Sequence, residues 1–289
     1  MGGRGLSVLS GNLLGMDDGE LIDVGDVTLF VRRLGERRRG KPSLLVLHGG
    51  PDVGHSYLLP GFEPLARDHH VVLFDFRGCG RSSRGLPEEA LQPEYVIDDA
   101  RRLIDVLELG QVDLLGFSTG GRAAVQFVDR HPDQVRRLVL ASTSAYTAAD
   151  NEPYLQRWEE YQRRQRAEDA QNGALRNSTI FVWNLDLAPA YLNLTRDLDG
   201  GDWSYEAYLA GRMHPWFTGD AEETLRAWGK PILILHGEKD MGFPVQLAKR
   251  LHAALPNSEL ATIENTAHMC HFEKPEVWSQ HIRTFLDDG

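Results

Sequence analysis

Short runs of consecutive apolar residues alternate along this chain with longer stretches in which apolar positions recur every three or four residues. Val27–Val31, Ser43–Leu47, Val71–Phe74, Val112–Leu115, Leu138–Ala141, Ile232–Leu235 and Leu260–Ile263 are of the first kind. Most are apolar almost throughout, which suits strands of a parallel sheet buried on both faces rather than strands with one wet side. Between them, Val96, Ile97, Ala100, Leu103, Ile104 and Leu107 fall at helical spacing, with Pro93 as a start signal and Gly110 as a stop signal. Leu247, Ala248, Leu251 and Leu255 repeat the pattern after Pro244, and Val277, Trp278, Ile282, Phe285 and Leu286 repeat it after Pro275. Strands alternating with amphipathic helices predict an α/β fold with helices on both faces of one sheet.

The rhythm breaks between residues 146 and 219, where no buried-strand run occurs and aromatic and charged residues crowd together. This segment reads as a helical insertion that caps the carboxyl ends of the strands, where open α/β sheets bind ligands. The expected organisation is therefore a flexible segment at 1–19, a core domain built from 20–145 and 220–289, and a cap at 146–219.

Composition narrows the function. With 289 residues, 42% of them hydrophobic, the chain can bury a full core. Its net charge of −11 works against nucleic acid as a partner, because such binding needs Lys and Arg to neutralise phosphates. The basic run from Arg32 to Lys41 contains Gly35 and Gly40 and reads as a solvated connection between strands. Two cysteines, Cys79 and Cys270, are too few for a disulfide scaffold or a four-cysteine zinc site. The N-terminal stretch lacks the pattern of an export signal, and no stretch approaches the length of a membrane span, so a cytoplasmic protein without membrane contact is expected.

The densest chemical signal is Gly116-Phe117-Ser118-Thr119-Gly120-Gly121, placed between the strand Val112–Leu115 and the helical run Ala123, Ala124, Phe127, Val128. A G-x-S-x-G sequence in this strand–turn–helix setting is a nucleophile elbow, with Ser118 lifted above the sheet edge and a helix N-terminus beneath it. A serine needs a base, and the base needs an orienting carboxylate. Asp240 follows the strand Ile232–Leu235, with Glu238 as the alternative acid. His268 follows the last strand and is preferred to His271, which lies nearer the closing helix. The loop His48-Gly49-Gly50-Pro51-Asp52 follows another buried strand, and the N–H groups of Gly50 and Thr119 are expected to form an oxyanion hole. His48 reads as a residue that fixes this loop, and Cys79 and Cys270 read as small packing residues. Candidates for substrate contact are Phe117 in the elbow and Glu152, Trp183, Glu206 and Trp216 in the insertion. No cluster outside these loops has metal-ligand spacing, so no cofactor is expected and the partner is a small-molecule substrate.

These loops carry a family resemblance. The set His48-Gly49-Gly50-Pro51, Asp75-Phe76-Arg77-Gly78-Cys79-Gly80-Arg81-Ser82, Ser118, Asp240 and His268 resembles the α/β-hydrolases, and within them the proline iminopeptidase branch. The resemblance implies eight mostly parallel strands with a helical cap, a cofactor-free serine triad, and cleavage of small amides or esters. Two loops depart from the branch: Asp52 stands where the first usually has glycine, and in the elbow Phe117 and Thr119 flank the serine where glycine and tryptophan are usual. The elbow is closer to those of cofactor-free perhydrolases and arylesterases. The chemistry survives both changes, while peptidase specificity does not follow from them. The branch's aminopeptidases hold the substrate amine with cap carboxylates, for which Glu152, Glu159, Glu160 and Glu206 are the available residues. Ester, lactone or carbon–carbon bond hydrolysis remains open, as does a non-hydrolytic binding protein or cyclase on the same fold.

Overall fold

The computed structural model describes residues 19–50, 53–146, 150, 163, 181–198 and 219–288. Eight strands form one sheet: β1 (Glu20–Asp23), β2 (Thr28–Leu34), β3 (Leu44–Leu47), β4 (Val71–Phe74), β5 (Val112–Phe117), β6 (Val135–Ala141), β7 (Ile232–Gly237) and β8 (Ser258–Ile263). Their order is β1-β2-β4-β3-β5-β6-β7-β8; β1 and β2 pair antiparallel, β2 joins β4 antiparallel, and the remaining neighbours are parallel. All seven expected strands are present. β1 was not anticipated, because Glu20-Leu21-Ile22-Asp23 is short and polar at both ends and only Ile22 is buried.

Side-chain alternation sorts the strands into two cores. Leu45, Leu47, Val72, Phe74 and Leu114 point to one face, while Leu44, Val46, Val71, Leu73, Leu115 and Phe117 point to the other. The first face is covered by α1 (Pro93–Val106), α2 (Thr119–Arg130), α4 (Ala221–Trp228) and α5 (Val245–Ala254). The second is covered by α6 (Pro275–Asp287), the short helices around Tyr57–Phe62, Val182, and Ala188 and Tyr191 at the start of α3 (Ala188–Leu198).

The expected stop of α1 is displaced by two residues. Glu108 adopts φ 51°, and the Leu109 N–H returns to the Ile104 carbonyl at 2.9 Å, closing the helix before Gly110.

The chain leaves the sheet after β6 and rejoins its helical layer at α4; among the described residues, 146–219 add no strand to the sheet, although Val182, Ala188 and Tyr191 help to cover one face. The flanks of that segment are tied together. Tyr146 donates to Glu222 at 2.5 Å, and Arg250 of α5 covers the Tyr146 ring at 4.0 Å while pairing with Asp150 at 2.7 Å. Among the described residues, no helix is long and apolar enough to cross a membrane.

The Arg77 loop after β4 is anchored by a buried ion pair. Arg77 donates to both oxygens of Asp99 on α1, at 2.6 and 2.7 Å, and also to Asp26 and the Ala90 carbonyl. Asp99→Ala would leave a guanidinium buried beside one exposed carboxylate, an expected loss of about 3–5 kcal/mol. Urea denaturation of the variant checks this, and a midpoint equal to that of the parent would contradict it.

Candidate active site

The loops at the carboxyl ends of β3, β5, β7 and β8 meet above the sheet. Ser118, between β5 and α2, has φ 54° and ψ −123°, a region that L-residues avoid and that costs about 1–3 kcal/mol to hold. Three bonds enforce it: the Ser118 N–H donates to the Ala141 carbonyl at 3.0 Å, and the Ser118 carbonyl accepts from Gly121 N–H at 3.0 Å and Thr143 Oγ1–H at 2.5 Å. The turn also requires small neighbours. A Cβ on Gly120 would lie 2.1 Å from the Leu47 carbonyl oxygen, and one on Gly116 would lie 2.4 Å from the Gly120 oxygen.

Ser118 Oγ lies 3.1 Å from His268 Nε2, and His268 Nδ1 lies 2.9 Å from Asp240 Oδ2. All three residues are buried. With the Nδ1–H donating to the carboxylate, Nε2 is free to accept the Ser118 proton. The second Asp240 oxygen accepts the Phe243 N–H at 2.9 Å, so the carboxylate is fixed at both ends. His236, to which the sequence reading gave no role, donates from Nε2 to the Phe243 carbonyl at 2.6 Å and lies 3.5 Å from Asp240 Oδ2. Phe243 and Phe181 flank the His268 ring, at centroid distances of 5.6 and 6.2 Å.

The alternatives weighed from sequence lie elsewhere. Glu238 pairs with Lys239 at 3.0 Å and accepts from Asn265 N–H at 3.1 Å. His271 is wholly buried and donates from Nε2 to the Tyr57 carbonyl at 3.2 Å; burial pushes its pKa down to about 3, so it is neutral. Cys79 and Cys270 are both buried and unbonded to each other, and burial pushes the Cys270 thiol up to about 12.

The β3 loop approaches the serine closely. A Cβ on Gly49 would sit 2.8 Å from Ser118 Cβ and 3.3 Å from Ser118 Oγ. Its conformation is set by His48: the Phe76 N–H donates to His48 Nε2 at 3.0 Å, so the ring carries its proton on Nδ1, which donates to the Gly49 carbonyl at 2.5 Å. A trans peptide puts its C=O and N–H on opposite sides, so fastening the Gly49 carbonyl turns the Gly50 N–H away from His48. Gly50 itself has φ 103°, which glycine alone adopts readily. The Gly49 N–H is taken up by Tyr57 Oη at 2.9 Å, a partner that no motif in the sequence marks. Thr119 is the first residue of α2, where backbone N–H groups have no partner inside the helix.

The proposed substrate contacts are scattered. Phe117 is fully buried, its ring 5.2 Å from that of His268 and 4.9 Å from that of His271, so it belongs to the core beneath the site. The Trp183 ring lies under Lys239 Nζ at 5.6 Å, and Trp183 lines a cleft with Glu273 and Lys274. Glu152, Glu159, Glu160, Glu206 and Trp216 lie outside the described residues, as do Pro51 and Asp52. Among the described residues there is no group of three His, Cys, Asp or Glu side chains suited to a metal ion.

The fold and this set of loops place the protein in a known family. The chain belongs to the alpha/beta hydrolase fold family, whose pattern matches residues 42–275. It is 30% identical over 282 residues to the AB hydrolase superfamily protein YisY of Bacillus subtilis (strain 168), covering 90% of this chain and 95% of that one. It is 26% identical over 281 residues to a proline iminopeptidase of Lactobacillus acidophilus, covering 88% and 93% of the two chains. A thermophilic esterase from Thermogutta terrifontis superposes with a TM-score of 0.69 at 25% identity, over 90% of this chain and 93% of that chain.

Buried neutral histidines make the site acid-sensitive. Burial depresses His48 to about 4 and His271 to about 3, both below the ordinary value of 6.5. The unfolded chain therefore takes up these protons first, and the stability they contribute is complete above about pH 6.5 and is lost as pH falls toward 4 and then 3. Each histidine should remove up to roughly 3 kcal/mol by pH 4, read as a falling urea midpoint between pH 7 and 4.5. A flat profile over that range would contradict the assignment.

Proposed function

We propose that the protein is a serine hydrolase that cleaves small-molecule esters and amides by acyl transfer. The observation that carries this reading is the unbroken chain from Ser118 Oγ to His268 Nε2, at 3.1 Å, and from His268 Nδ1 to Asp240 Oδ2, at 2.9 Å. His268 takes the hydroxyl proton as Ser118 Oγ attacks the substrate carbonyl carbon. The Gly50 and Thr119 N–H groups stabilise the oxyanion of the tetrahedral intermediate. Its collapse breaks the bond to the leaving alcohol or amine, which receives the proton from His268. Water, deprotonated by His268, then attacks the acyl-enzyme and releases the acid. Asp240 holds His268 in the tautomer this sequence needs and stabilises the imidazolium.

Residues 146–219 act as the cap that selects the substrate. The Phe181 and Phe243 rings beside His268 favour an apolar group next to the scissile carbonyl. The proline iminopeptidase relatives support amide cleavage, and the esterase at 25% identity supports ester cleavage. A reduced, cytoplasmic setting fits two buried cysteines that form no disulfide with each other.

The test is labelling with a fluorophosphonate followed by intact-mass analysis and peptide mapping. One adduct on Ser118, absent from Ser118→Ala, is expected. Turnover of aryl esters should fall by about 10⁴-fold or more in Ser118→Ala and by about 10⁴-fold in Asp240→Asn. Unchanged turnover in Ser118→Ala would refute the assignment, and ligand binding without turnover in the parent protein would favour a non-hydrolytic role.

A further inference from the structure

The base of the proposed triad is carried by a loop that is not held by the sheet alone. The Ala267 N–H, immediately before His268, donates to Glu273 Oε2 at 2.6 Å. The other oxygen of the same carboxylate accepts two N–H groups from the segment that precedes α3, Trp183 and Asn184, each at 2.8 Å. One side chain thus joins the His268 loop to a stretch of residues far away in sequence, inside the 146–219 insertion.

Further contacts run along the same seam. The Met269 N–H, just after His268, donates to the Phe181 carbonyl at 2.8 Å. The Lys239 ammonium lies over the Trp183 ring at 5.6 Å, and the Lys239 N–H donates to the Thr266 carbonyl at 2.8 Å. Segment 181–184 therefore touches the loops on both sides of the His268–Asp240 bond. Burial pushes the Glu273 carboxyl up, against the opposing pull of the Asn184, Ala267 and Trp183 N–H groups and of Lys274.

We infer that Glu273 is a positioning residue that couples segment 181–184 to His268, so that the base is aligned on Ser118 only while that segment is docked. This rests on the acyl-transfer reading above. A carboxylate suits the task because it accepts at both oxygens, and here every bond it receives is a backbone N–H. Glutamine cannot replace it. Whichever way the amide is turned, its NH₂ faces either the Ala267 N–H or the pair from Trp183 and Asn184, donor against donor. Displacing His268 by a fraction of an ångström loses the line from Ser118 to the base, a geometry on which rate depends steeply.

The experiment compares the full-length parent with Glu273→Gln and Asn184→Pro. Asn184→Pro removes one N–H from the far side of the bridge, together with the Asn184 Oδ1 cap on the Asp186 N–H, and changes no residue of the His268 loop. The probes are a fluorophosphonate for the reactivity of Ser118, p-nitrophenyl acetate for kcat and KM, and amide hydrogen exchange at Trp183, Asn184 and Ala267. Glu273→Gln is expected to slow labelling and lower kcat by about 10- to 100-fold with KM changed less than about twofold. Exchange should accelerate at Ala267 and Trp183 together. Asn184→Pro should slow labelling in the same direction, by several-fold. A lower melting temperature with kcat and labelling rate unchanged would make Glu273 a structural clamp only and overturn the inference. Normal labelling in Asn184→Pro beside slow labelling in Glu273→Gln would overturn the coupling, leaving an effect confined to Ala267. Should Glu273→Gln fail to fold, Asn184→Pro decides alone. A parent protein that takes no adduct on Ser118 sinks the acyl-transfer reading instead, and the exchange data then decide whether the two segments move as one.

Discussion

Ser118 occupies a backbone conformation that its own chemistry disfavours, and the carboxyl edge of the sheet is arranged to keep it there. The Ser118 N–H and carbonyl are bonded to Ala141 and Thr143 of β6 and the residues beyond it, while Gly120 is pressed against the carbonyls of Leu47 and His48. The elbow is thus clamped between β3 and β6, the two neighbours of its own strand. Strain of a few kcal/mol at one residue persists because the strands on either side are buried on both faces and cannot shift separately. The same clamp brings Gly49 within contact of the serine, so Ser118 and the β3 loop are positioned as one unit.

The other half of the site depends on the pairing of β7 with β8. Register places Gly237 opposite Ile263, so the loops that follow leave the sheet side by side, and Asp240 and His268 need only short excursions to meet. Two backbone bonds hold those loops together, from Glu238 to Ile263 and from Lys239 to Thr266. This half is less enclosed by the sheet than the elbow, since β8 is an edge strand with half-exposed side chains. A loop at an edge needs bracing from outside, and the contacts from Phe181, Trp183 and Asn184 supply it. Asp240 and His268 therefore depend on packing beyond the sheet in a way that Ser118 does not.

The parts of this arrangement legible in the sequence are those set by local physics. Consecutive apolar residues mark the buried strands, and the glycines around Ser118 and after His48 mark close backbone approaches. Chain order then selects Asp240 and His268. β1 was illegible because a four-residue antiparallel edge strand with one buried side chain leaves no pattern. Tyr57, Thr143, His236 and Glu273 were illegible for another reason. Each acts through a side-chain hydrogen bond to backbone outside its own turn, helix or strand, and nothing near a tyrosine at position 57 announces a bond to the Gly49 N–H. Phe117 illustrates the opposite error: being next to the nucleophile suggested substrate contact, but strand alternation turns its side chain into the core.

Histidine shows most clearly how environment assigns different roles to one side chain. His48, His236 and His271 are wholly buried, and burial depresses the pKa of each, so they serve as neutral rings with fixed tautomers. His48 accepts with one nitrogen and donates with the other, and this is how it orients a peptide plane without bearing charge. His236 and His271 donate to backbone carbonyls and leave their Nδ1 atoms without partners, which excludes a proton from those positions. His268 differs in having a carboxylate on Nδ1 and a hydroxyl on Nε2, the pair of partners that lets a ring gain and lose a proton in place. The same side chain thus serves as a neutral pin on backbone at His48, His236 and His271, and at His268 as the link between a hydroxyl and a carboxylate.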